Sequence, residues 1–229
     1  MKAYQTIEAT PADCLTTLAR YEIQKSKFLT CAQHVESETE AREFIAAVKK
    51  NYYDARHTCS AYVIGPDARL QKSNDDGEPG GTAGNPILEC IKQNGLTDTV
   101  VTVTRYFGGI KLGAGGLIRA YSHAAALGLA ACQLIRMQPY LRLSLRLTYD
   151  NLAPVQAYLR NQAELGTTIM PDEAAGTEYA ADVTMHLLVT SETIGQHIAK
   201  LTDMLAGRLS YKKDGETLAA LKINSQEKK

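Results

Sequence analysis

Apolar and polar residues alternate through ARYEIQKSKFLTCAQHV, Ala19 to Val35, which predicts one or two half-buried strands. The period then lengthens. SETEAREFIAAVKKNY sets Phe44, Ile45 and Val48 on one face and predicts a helix from Glu38 to about Lys50. Ser37 can cap it, and Glu40 at the third helical position completes a capping box. HTCSAYVIG reads as a short apolar strand stopped by Gly65 and Pro66. KSNDDGEPGGTAG, Lys72 to Gly84, is a run of turn formers and predicts irregular backbone. NPILECIKQNG reads as a short helix, with Pro86 in its first turn and Gly95 just past its end. DTVVTVTRYF is rich in β-branched residues and predicts a buried strand ending near Tyr106. A glycine-rich loop follows. LIRAYSHAAALGLAACQLI then predicts a largely buried helix that begins near Leu117.

RMQPY reads as a hinge between two domains, residues 1–138 and 139–229. Beyond it the pattern restarts. Strands are predicted at Leu141–Tyr149, Thr167–Pro171, Tyr179–Val189 and Leu218–Asn224, with helices at Leu152–Glu164 and Thr193–Leu205. The order β-α-β-β-α-β over that length suggests a ferredoxin-like unit, and the fold class is α+β. The tail NSQEKK reads as frayed.

Composition narrows the partners. The 229 residues carry 25 Lys or Arg and 25 Asp or Glu, a net charge of zero. No global field draws the chain to nucleic acid or an anionic membrane. Five cysteines with no CxxC argue against a disulfide framework or a zinc ribbon. They fit reduced thiols in a cytoplasmic protein. No signal peptide or membrane span is expected.

Two loops carry the candidate chemistry. RYFGGIKLGAGGLIRAY holds five glycines between Gly108 and Gly116. Gly113, Gly115 and Gly116 would place bare N–H groups at a helix N-terminus, where the dipole favours an anion. Arg105, Lys111 and Arg119 could contact a phosphate, with Lys25 and Lys27 extending the patch. The spelling fits neither a P-loop nor GxGxxG. The alternative is a tight strand-to-helix connection. The second loop gathers Asp75, Asp76 and Glu78, which could hold a divalent cation or bond local N–H groups. Thr82 could cap the next helix or contact a ligand. His57 lies beside Cys59 on the strand, with no third group to orient a nucleophile pair, and reads as a hydrogen-bonded edge histidine. His123 and Cys132 read as core. No catalytic residue, metal or cofactor is assigned.

NDDGEPGGTAGNPIL (Asn74 to Leu88) and VVTVTRYFGGIKLGAGGLIRAYS (Val100 to Ser122) resemble the Impact family, which includes the bacterial YigZ-type proteins. KSKF (Lys25 to Phe28) and RHTCSAYVIG (Arg56 to Gly65) resemble its amino-terminal elements. The chain departs at Asn74, Gly80 and Asn85, where the family commonly has Ser, Ser or Pro, and Lys. The resemblance implies a first domain with the ribosomal-protein-type β/α fold of elongation factor G domain four. It implies a ferredoxin-like second domain similar to that factor's domain five. Eukaryotic members regulate translation. For bacterial members the resemblance implies nucleic-acid or ribosome association.

The expectation is therefore a regulator of translation that binds RNA or ribosomes, or a protein of the translation machinery. Two alternatives stay open. One is an enzyme on a small phosphorylated molecule or nucleotide, with the glycine loop holding phosphate and the acidic loop holding Mg²⁺. The other is a protein-interaction module with both loops structural.

Overall fold

A computed structural model describes residues 2–8, 17–165 and 168–222. The tail beyond Lys222 and Cys14 lie outside the described residues. The chain divides into two compact units, the second beginning near Met137. Among the described residues there are two sheets and five helices.

The first unit contains β1 (Tyr4–Ile7), β2 (Ala19–Ile23), β3 (Ser26–His34), α1 (Glu38–Asn51), β4 (His57–Ile64), β5 (Leu70–Asn74), α2 (Gly84–Gln93), β6 (Thr99–Tyr106) and α3 (Gly113–Ala130). Its antiparallel sheet has the order β2-β3-β6-β4-β5. β6 lies at the centre, which explains a β-branched run buried on both sides. The helices α2 and α3 cover one face, joined there by Ile7, Phe28, Cys59, Val101 and Val103. On the opposite face, α1 packs Ala41, Phe44 and Ile45 toward Val35, Tyr62 and Val100. Ser37 caps the helix as expected, its hydroxyl accepting from the Glu40 N–H at 3.2 Å and donating to the Glu40 carboxylate at 2.9 Å. That carboxylate reaches back to the Glu36 N–H at 2.8 Å rather than to the Ser37 N–H of a capping box.

The second unit holds most of β7 (Leu134–Leu147), then α4 (Tyr149–Leu165), β8 (Ile169–Pro171), β9 (Thr177–Tyr179), β10 (Val183–Val189), α5 (Ile194–Met204) and β11 (Ser210–Lys222). β7 runs between β11 and β10, and β10 pairs in turn with β8 and β9. Leu143, Leu145 and Leu147 bury one face of β7 against Val155, Leu159 and Leu201.

The two units divide within RMQPY, near Met137, although β7 runs through that segment without interruption. Several expectations are corrected. Lys72–Asn74 belong to β5, an exposed edge strand whose polar residues need no apolar signature. α3 begins at Gly113, four residues earlier than the apolar run. The single strand over Tyr179–Val189 is two, β9 and β10, and β11 starts at Ser210.

Candidate functional site

Register sets the site. Across β3, β6 and β4 the Cα partners Phe28, Arg105 and His57 form one row at the end of the sheet. Alternation places Arg105 on the same face as Val101 and Val103, so its guanidinium enters the core. It is 5% exposed. Arg105 Nη1 donates to Glu78 Oε1 at 2.7 Å, and the Tyr121 hydroxyl donates to the same oxygen at 2.8 Å. Tyr121 meets Phe28 edge-on at 5.2 Å. Burial, then the neighbouring Cys59 and Glu78, push the Tyr121 hydroxyl far above its ordinary value. Burial likewise raises the Cys59 thiol to about 12, so it is no activated nucleophile.

The acidic loop is therefore turned inward. Asp75 accepts from the N–H groups of Gly81, Ala83 and Gly84 at 2.8, 2.9 and 2.8 Å. Burial alone would raise its carboxyl, but these three bonds outweigh it and hold the group below its ordinary value. Asp75, rather than Thr82, thus serves the N-terminus of α2. Thr82 is buried and donates to the Pro79 carbonyl at 2.6 Å. Asp76 accepts from Lys49 at 2.5 Å and from the Thr58 N–H at 2.7 Å. His57 donates through Nδ1 to the Asp76 carbonyl at 2.8 Å. Among the described residues no three His, Cys, Asp or Glu side chains gather as a metal set. Glu78 joins the acidic loop to β6 and α3 through a buried ion pair rather than across an open cleft.

The glycine loop faces the other way. Gly108 abuts the β2–β3 turn: a Cβ there would sit 2.0 Å from the Lys25 carbonyl carbon. Only glycine permits that approach. The turn residues Gln24 and Lys25 both have positive φ, 45° and 62°, as a two-residue hairpin turn demands. Gly113, with φ 70°, opens α3. No side chain caps that helix, and its first turn has no acidic residue. Gly113, Ala114 and Gly115 are exposed, with Gly116 half-buried.

Lys25, Lys111 and Arg119 are exposed around this end, whereas Lys27, the Cα partner of Tyr106, is exposed on the opposite face of the sheet; among the described residues none of the four enters an ion pair. Arg119 borders a pocket of about 380 Å³ with Tyr21, Gln24, Leu112, Gly116 and His123. His123 is exposed there rather than in the core, edge-on to Tyr21 at 4.5 Å. Of the expected phosphate contacts, Arg105 is buried and Lys27 faces away from α3. From Thr99 to Tyr149 the chain has six Lys or Arg and no acidic residue, a local bias that the zero net charge conceals.

In the second unit, Arg142, Ser144 and Arg146 alternate onto the face of β7 opposite its core residues. That face is internally neutralised: Arg142 pairs with Asp172 at 3.1 Å, Arg146 with Asp182 at 2.8 Å and Lys212 with Asp214 at 2.8 Å. Among the described residues no helix is long and apolar enough to cross a membrane.

Comparison with known proteins agrees with the motif-bearing segments. The Impact N-terminal domain family matches residues 24–129. IMPACT family member YigZ of Escherichia coli is 34% identical over 82% of this chain and 89% of its own length. IMPACT family member YvyE of Bacillus subtilis is 58% identical over 107 residues, 47% of this chain; the chain spans only about half of that relative, 49%. A crystal structure of a hypothetical protein superposes with a TM-score of 0.56 at 29% identity, covering 98% of this chain and 99% of its own. With such similarity running through nearly the whole of YigZ, this chain belongs to the IMPACT family.

Proposed function

We propose that this protein regulates translation from the cytoplasm by gripping the phosphate backbone of RNA, free or in the ribosome. The observation that carries this is the uncapped, acid-free N-terminus of α3, flanked by Lys25, Lys111 and Arg119. Bare N–H groups and a positive dipole end suit a phosphate oxygen. Three exposed cations near it supply the sequence-independent attraction. Arg105 enters this reading as the buried support of the loop.

The family's eukaryotic members, which by resemblance regulate translation, support the cellular role. The order β11-β7-β10-β8 supports a ferredoxin-like second domain. The first domain would then be of the ribosomal-protein type, with the boundary between residues 138 and 139 lying inside the continuous β7.

The test is equilibrium binding of a short single-stranded RNA at several salt concentrations, with ribosome cosedimentation alongside. Lys111→Glu should weaken binding across all sequences. It should also reduce the slope of log K against log salt by about 0.7. Unchanged binding and slope would remove the glycine-loop surface from the account.

A further inference from the structure

Phe107 is an anomaly in the candidate surface. It is an aromatic residue at the mouth of the glycine loop, 47% exposed. A solvated phenyl ring is usually loose, but this one is backed. The Arg105 guanidinium lies 5.5 Å from its centroid and 5.6 Å from that of Phe28 on the core side. The guanidinium is itself held by Glu78 at 2.7 Å. Phe28, Arg105 and Phe107 thus form a ring–cation–ring series that starts in the core and ends in water.

The neighbours of Phe107 are cationic. Lys25 abuts Gly108 through its backbone, and Lys111 lies four residues along the loop. The nearby acid Glu22 is engaged by Arg20 at 2.5 Å.

We propose that Phe107 is a stacking platform for an unpaired RNA base, with Lys25 and Lys111 holding the flanking phosphates. This rests on the backbone-grip reading above and sharpens it: the ligand is single-stranded. A paired base is stacked on both faces and cannot reach the ring, whereas an unpaired base of any identity offers a π-face.

The chain has no tryptophan, so Phe107→Trp introduces a single fluorophore at the site. Titration of that variant with oligouridine should quench its emission, and a duplex of equal length should quench it little. Phe107→Leu keeps an apolar side chain but removes the π-face. It should lose about tenfold in affinity for oligouridine while its salt slope stays that of wild type. Because Phe107 is half in solvent, the thermal midpoint of both variants should match wild type. Wild-type affinity retained by Phe107→Leu, or equal binding of duplex and single strand, would overturn the stacking platform and leave the backbone grip standing. Wild-type protein that binds neither RNA would overturn both. Loss of ribosome cosedimentation in Phe107→Leu with RNA affinity intact would overturn the platform and assign the ring to a protein surface.

Discussion

Removing the Glu78 charge should destabilise the first unit severely. Glu78 and Arg105 side chains are 4% and 6% exposed, so neither charge has water to fall back on. In Glu78→Gln the guanidinium keeps a neutral acceptor but loses its counter-charge inside a low-dielectric core. Breaking a buried pair from one side costs about 3–5 kcal/mol. At about 2–4 °C per kcal/mol for a chain of this size, the thermal midpoint should fall by about 6–20 °C. Replacing both partners, as in Glu78→Leu with Arg105→Met, should recover most of that loss, because the desolvation cost of both charges disappears with them. Thermal unfolding followed by circular dichroism measures both variants. A Glu78→Gln midpoint within about 2 °C of wild type would refute the reasoning, since it would mean the guanidinium is hydrated. A double variant no better than the single would refute the charge argument and point to packing instead.

Asp75→Ala strands three N–H groups and should cost about 2–3 kcal/mol, read from urea unfolding; Asp75→Asn, which keeps an acceptor, should cost less. Because the Asp75 carboxyl is held below its unfolded value, its contribution is complete above pH of about 4 and is lost as pH falls through the lower folded value. A Cβ on Gly128 would meet Thr30 Cγ2 at 2.3 Å, so Gly128→Ala should cost about 1–3 kcal/mol, and Thr30→Ala should restore part of it. Lys25→Gly relieves a left-handed non-glycine residue and should stabilise by about 1 kcal/mol while weakening RNA binding in the same titration. Burial lowers the His197 imidazole, so the folded state binds fewer protons than the unfolded one. Stability of the second unit should therefore decline as pH falls below about 6.5, and His197→Gln should flatten that dependence in pH-resolved melts.

The legible parts of this chain were those whose cause is local. Ser37 and Glu40 lie within one turn, so the cap of α1 could be read from spacing alone. Pro86 and Gly95 likewise bracket α2. The cap of α2 could not be read that way, because Asp75 reaches N–H groups six to nine residues on through a loop whose path no period describes. The start of α3 was hidden for another reason: glycines argue for a loop by propensity, and tertiary packing overrides that preference here. Arg105 left a usable signal. In a strand that alternates, residues 101, 103 and 105 share a face, and two of the three are valine. An arginine on that face needs a buried counter-charge, and Glu78 is the acid that meets it.

The two loops thus spend their charges in opposite directions, and desolvation explains the difference. Each carboxylate of the acidic loop finds fixed donors close by: three N–H groups for Asp75, Lys49 and Thr58 for Asp76, Arg105 and Tyr121 for Glu78. Once so engaged, a carboxylate can leave water without an unpaired charge. Lys25, Lys111 and Arg119 have no such partners among the described residues. They remain in solvent, on a surface fixed from below by the same ion pair that consumes Glu78. A chain with zero net charge can therefore present a basic face, provided its acids are buried or paired elsewhere. It follows that Glu78→Gln should also weaken RNA binding, through a loosened loop rather than a lost contact. The salt slope separates the two causes: it should stay that of wild type in Glu78→Gln and fall in Lys111→Glu.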